Sequence, residues 1–124
     1  MSKILLIDDD EDMLAMTGRW LEKAGYEVMR AASGKDALSL LETSVPDLIL
    51  LDYAMPEMDG PAVLSAIRER EALASVPVLY RTGMDEMQEA GAPAPDGIVP
   101  KSEGKPGLLK AVSSFLLGHG TVKK

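Results

Sequence analysis

Short apolar runs alternate along the chain with segments whose apolar residues recur at helical spacing. Ile4, Leu5, Leu6 and Ile7 form an unbroken apolar run that ends in acids, which predicts a buried strand. Residues 12–24 predict a helix, because Met13, Met16, Trp20 and Leu21 repeat with the helical period and Gly25 is a natural stop. Residues 26–31 alternate apolar and charged, the pattern of a strand near a sheet edge. Ser33-Gly34-Lys35-Asp36 resembles a capping box with Asp in place of the usual Glu or Gln. It opens a helix carrying Ala37, Leu38, Leu40 and Leu41. Residues 46–51 predict the third strand, whose Leu48-Ile49-Leu50-Leu51 is apolar on both faces and so suits the centre of a parallel sheet.

A loop of turn-forming residues follows from Asp52 to Gly60, and Pro61 suits the first position of the next helix. Val63, Leu64 and Ile67 give that helix its apolar face. Residues 77–81 predict the fourth strand, and 84–90 are enough for about two helical turns before the Gly- and Pro-rich stretch 91–97 stops them. Ile98 and Val99 make a short fifth strand, with Pro100 fitting a sheet edge because it cannot donate to a ladder. Leu108, Leu109, Val112, Phe115 and Leu116 mark a last helix stopped by Gly118. Five β–α units joined by right-handed crossovers predict an α/β fold, a doubly wound three-layer sandwich around a five-stranded parallel sheet. The length of 124 residues suits one domain, spanning 1–118, with a flexible tail at 119–124.

Composition narrows the function. The chain has no cysteine, which excludes disulfides and thiolate metal sites and fits a reducing, cytoplasmic setting. Its start does not read as a signal peptide, and no apolar run nears the roughly 18 residues of a membrane span. A net charge of −7 gains nothing from counterion release, so direct nucleic-acid binding is not expected. Aromatics at 4% are too few for a base-stacking platform or a sugar cleft.

In open α/β sheets, ligands bind beyond the carboxyl ends of the strands. Asp8 and Asp9 follow the first strand, Asp52 the third, Thr82 the fourth and Lys101 the fifth. Converging carboxylates repel, and a hard divalent cation such as magnesium removes the conflict through oxygen ligands. The acidic run Asp8 to Asp12 therefore divides. Its first two members face the mouth, Asp10 sits at the junction as a cap or a solvated residue, and Glu11 and Asp12 oppose the helix dipole. Asp8-x-Asp10-x-Asp12 imitates the start of a calcium loop. The glycine and glutamate that such a loop requires are here Met13 and Arg19, which rules it out. His119 lies between glycines in the tail and offers no phosphotransfer site, while Trp20 and the eight methionines read as packing.

Taken together, "LLIDD" at the first strand, "LILLDYAMPEMDG" around the third, "PVLYRTG" at the fourth and "VPKS" after the fifth resemble the receiver domains of two-component response regulators, end to end. The resemblance implies a flavodoxin-like strand order 2-1-3-4-5. It implies that Asp52 accepts a phosphoryl group from a histidine kinase, a phosphotransfer protein or a small phosphodonor. Magnesium, with manganese as a substitute, would be held by Asp8, Asp9, Asp52 and the main-chain carbonyl of Ala54. Lys101 would pair with the phosphoryl oxygens, and the Thr82 hydroxyl would hydrogen-bond one of them. The added charge would draw Thr82 and Lys101 inward and shift the surface around strands 4 and 5 between two populations. Such a module controls a downstream protein or fused effector, works as a monomer or a weak phosphorylation-dependent dimer, and turns over no outside substrate.

Three features depart from the family pattern. Ile98 stands where receivers usually carry an aromatic switch residue, Ser102 replaces the common proline, and the segment between Thr82 and Lys101 is short and contains Pro93 and Pro95. These predict normal phosphorylation with an altered output face. Ala54 and Met84 stand where receivers tune water attack, and neither can orient a water, so slow self-dephosphorylation is expected. Other functions fit less well. An aspartyl-phosphate hydrolase wants a second acid where Ala54 stands, and a flavodoxin-like electron carrier wants a glycine- and hydroxyl-rich loop where the acids stand. An unphosphorylated receiver-like scaffold would lack one of the acids, Thr82 or Lys101, and all are present.

Overall fold

The computed structural model describes residues 2–55, 58–83 and 95–120, the last four by backbone alone. Five strands, β1 (Lys3–Ile7), β2 (Glu27–Ala31), β3 (Leu48–Asp52), β4 (Val78–Thr82) and β5 (Gly97–Pro100), form one sheet in the order β2-β1-β3-β4-β5. Every neighbouring pair is parallel. The helices are α1 (Glu11–Lys23), α2 (Gly34–Leu40), α3 (Gly60–Arg68) and α4 (Gly104–Gly120).

Strand alternation builds two cores. Leu5, Ile7, Ile49, Leu51, Val78 and Tyr80 pack with Ala37 of α2 and with Val63, Leu64 and Ile67 of α3. Ile4, Leu6, Leu48, Leu50, Leu79 and Val99 pack with Leu14 and Leu21 of α1 and with Leu108 and Val112 of α4. The doubly wound sandwich expected from the sequence is therefore the fold, and β3 at its centre is buried at every position. Among the described residues, no helix is long and apolar enough to cross a membrane.

Local chemistry sets the element ends. Asp10 caps α1, its carboxylate accepting from the amides of Asp12 at 3.0 Å and Met13 at 3.2 Å, so the helix begins at Glu11. At the other end Gly25 adopts a φ of 101°, its amide donating to Glu22 and the Tyr26 amide to Leu21, a Schellman arrangement. The buried stripe of α1 is Leu14, Thr17, Gly18 and Leu21, whereas the expected Met16 is 37% exposed. Hydropathy alone undervalues Thr17 and Gly18, which are small enough to lie close to the sheet. Gly118 does not stop α4, which continues to Gly120 and so takes in the first two residues of the expected tail. A glycine inside a helix costs only about 1 kcal/mol and need not end it. The remaining tail residues, the expected helical turns over 84–90, Met84 and Pro93 lie outside the described residues.

One polar link pins the fifth strand. The Asp96 carboxylate accepts from Arg68 Nη2 at 2.7 Å and from the Val78 amide at 2.8 Å, while the Asp96 amide donates to the Val78 carbonyl at 2.8 Å. That anchors the start of β5 beside β4 and fixes where its far end, and hence Lys101, emerges.

Candidate functional site

The parallel sheet gathers the expected polar residues at its carboxyl edge. Ile7 is in register with Leu51, so Asp8 and Asp52, one residue further along each strand, come level. Ligand oxygens of Asp8, Asp9 and Asp52 all lie within 4.8 Å of one another. Asp8 is 2% exposed and Asp52 4%, whereas Asp9 is open to solvent. Asp8 is fixed at both ends, its amide donating to the Ala31 carbonyl at 3.1 Å and its Oδ1 accepting from the Asp10 amide at 2.9 Å.

Lys101 closes the site from the side. It follows β5 in a short 3-10 turn, Lys101–Glu103, and its Nζ lies 3.1 Å from Asp52 Oδ1. Burial pushes the Asp52 carboxyl up to about 6 from the ordinary 3.8; the Lys101 hydrogen bond opposes the rise, and the charges of Asp8 and Asp9 add to it. Thr82 ends β4, buried and paired with Pro100 across the ladder. Ala54 lies in the exposed loop just past Asp52. The structure thus brings together Asp8, Asp9, Asp52 and Lys101, with Thr82 on the adjoining strand end.

The loop after β3 turns sharply against that strand. The Gly60 amide donates to the Tyr53 carbonyl at 2.8 Å. A Cβ on Gly60 would stand 2.9 Å from Tyr53 Cα, closer than packed atoms allow, and 3.0 Å from the Asp52 carbonyl oxygen, a tight contact. Asp59 then caps α3 through the Ala62 amide at 3.1 Å. Tyr53 meets Tyr80 edge-on, with ring centroids 5.2 Å apart.

The donor set fits magnesium: three carboxylates supply hard oxygen ligands, and their mutual repulsion is what a divalent cation relieves. Two polar residues here escaped the sequence reading. Arg81 of β4 is 2% exposed, and its Nη1 donates to Thr17 Oγ1 of α1 at 3.1 Å. Burial lowers its guanidinium from the ordinary value, against the charges of Asp8 and Asp52. The available signal was parity, because Arg81 shares a face with Leu79 inside an otherwise apolar strand.

A doubly wound parallel sheet of order 2-1-3-4-5 with an acidic cluster and a lysine at its carboxyl edge defines a flavodoxin-like domain built for phosphoryl chemistry. The model of the response regulator receiver domain matches residues 4–113, and the chain belongs to that family of two-component phosphoacceptor modules. It is 39% identical over 84 residues to the alkaline phosphatase synthesis transcriptional regulatory protein PhoP of Bacillus subtilis, a match covering 68% of this chain and 34% of PhoP. The chain thus corresponds to about a third of that relative's length. Chemotaxis protein CheY4 of Vibrio cholerae superposes with a TM-score of 0.82 at 30% identity, covering 92% of this chain and 98% of CheY4. Response regulator TrrA of Thermotoga maritima, solved in complex with Mg2+-BeF, superposes with a TM-score of 0.84 at 28% identity, covering 94% and 100%.

Proposed function

We propose that Asp52 is the phosphoacceptor, and that the cluster around it serves the transfer. The observation that carries this is the Lys101–Asp52 ion pair at 3.1 Å within a cluster of acids of which Asp8 and Asp52 are buried and Asp9 is exposed. Asp8, Asp9, Asp52 and the Ala54 carbonyl would hold magnesium, with manganese as a substitute; when bound, the cation neutralises charge on the phosphoryl oxygens.

The chain's own residues do the rest. Ionised Asp52 attacks phosphorus through a carboxylate oxygen. A new P–O bond forms while the bond to the donor's nitrogen or oxygen breaks, and the electron pair leaves with the donor. Lys101 Nζ, already at the carboxylate, moves onto a phosphoryl oxygen, and the Thr82 hydroxyl donates to another. The site's remaining demands are positioning and charge, which the buried Asp52 and its fixed neighbours supply.

The donor is a histidine kinase or phosphotransfer protein, and the output is a downstream protein or a fused effector. The naming of PhoP as a transcriptional regulator, with this chain matching a third of it, supports the second arrangement. No outside substrate is turned over, and the module works in the cytoplasm. Ile98, 55% exposed on β5, supports an output face without the aromatic switch. The test is mass measurement after incubation with acetyl phosphate and magnesium. One phosphoryl group should add to the wild type and none to Asp52→Asn. Equal labelling of both proteins would overturn the assignment.

A further inference from the structure

Among the described residues, the charged side chains that are fully buried are Asp8, Asp52 and Arg81. They are not scattered. Asp52 is the register partner of Arg81, and Asp8 stands level with Asp52 on the other side, so the three span adjacent strands in one row. The row continues on the α1 and α4 face of the sheet, since Leu6, Leu50 and Leu79 precede these residues by two and pack there. Lys101 reaches Asp52 from solvent, 30% exposed at its side chain, whereas Arg81 approaches from within the protein. Its Nη1 is tied to Thr17, and its Nε finds no hydrogen-bond partner among the described residues.

A buried guanidinium carries a desolvation cost that an apolar residue would avoid. Leu79 and Val99 show that this face accepts apolar side chains. Its hydrogen bond to Thr17 satisfies one guanidinium nitrogen, and the charges of the two acids in its row offset part of the remaining cost.

Resting on the site reading above, we propose that Arg81 is a built-in counter-cation of the phosphoacceptor site, offsetting the Asp8–Asp52 repulsion from inside the fold and weakening the site's hold on divalent cations. It touches no reacting atom; it is a positioning residue acting through the field at the two acids. A fixed positive charge in a low-dielectric row opposes the arrival of a second, mobile one.

The experiment is calorimetric titration of the full chain with magnesium chloride at fixed ionic strength. The proteins compared are wild type, Arg81→Met, Arg81→Leu, Arg81→Lys and Asp9→Asn. Met keeps the linear stem and Leu matches the neighbouring residues, so the result does not hang on one variant folding. Arg81→Met and Arg81→Leu should bind magnesium about tenfold more tightly than wild type, the effect of roughly one screened charge. Arg81→Lys, which keeps the charge, should stay near wild type. An unchanged Kd in both neutral variants, with binding abolished in Asp9→Asn, overturns the role of Arg81 and leaves the site reading intact. Arg81→Lys binding as tightly as the neutral variants also overturns it, because side-chain shape rather than charge would be responsible. Magnesium binding indifferent to Asp9→Asn overturns the site reading and this proposal with it.

Discussion

An ionised carboxylate at position 52 costs the cation-free protein stability. With its folded-state value raised from 3.8 to about 6, the ionised form is disfavoured by about 3 kcal/mol at neutral pH. Below about pH 4 the group is protonated in both the folded and unfolded chain, and no penalty exists. Between about 4 and 6 the folded state keeps a proton that the unfolded chain has released, so stability falls as pH rises. Above that the loss is constant. In chelator, Asp52→Asn should therefore exceed wild type in stability by up to about 3 kcal/mol at pH 7.5, with the gap closing toward pH 4. Denaturant midpoints across that range check it, and equal stability at pH 7.5 would contradict the burial argument. Lys101 supplies the opposing interaction at 3.1 Å. Lys101→Met should raise the Asp52 value further, visible in carboxyl NMR, and slow phosphorylation by acetyl phosphate roughly a hundredfold.

At the scale of elements, the site depends on how strands end and helices begin. Asp10 links the two: its amide holds Asp8 Oδ1 while its side chain caps α1. Asp10→Ala should cost about 1 kcal/mol of stability as a lost cap, read by thermal melting, while leaving the Asp8 contact in place because that bond uses the backbone. Gly25→Ala should cost a similar amount, about 1 kcal/mol, because alanine resists a φ of 101°. Most of this architecture was legible in the chain. Uniform apolar runs marked the central strands, and acids, Thr82 and Lys101 at run ends marked the mouth. The errors came where hydropathy is a poor guide. Met16 looked like core yet is exposed, Thr17 and Gly18 fall outside the apolar pattern yet are buried, and Gly118 looked like a stop yet sits inside α4. Arg81 was hidden for the same reason: a single charge in a strand reads as a surface position until the register shows what stands beside it.

For the whole molecule, the two cores divide the work. The α2 and α3 side packs the larger apolar cluster against the sheet, with the Tyr80 hydroxyl and, at the strand end, Thr82 as buried polar groups on that face. The α1 and α4 side carries the charged row that ends at the mouth. Signalling requires the phosphorylated state to last, and its lifetime depends on whether water can be aimed at phosphorus. Ala54 lies exposed beside the site with no group to orient a water. Loss of label from phosphorylated protein, followed by mass, should be slow, and Ala54→Asn or Ala54→Glu should speed it by supplying an orienting group. A wild-type lifetime unchanged by either substitution would remove Ala54 from the account. The central claim is that the phosphoryl group resides on Asp52. Borohydride reduction of the protein after acetyl phosphate treatment converts an aspartyl phosphate to homoserine, which peptide mass mapping locates. Homoserine at position 52 alone is the predicted result; homoserine at Asp8 or Asp9, with Asp52 intact, would contradict it.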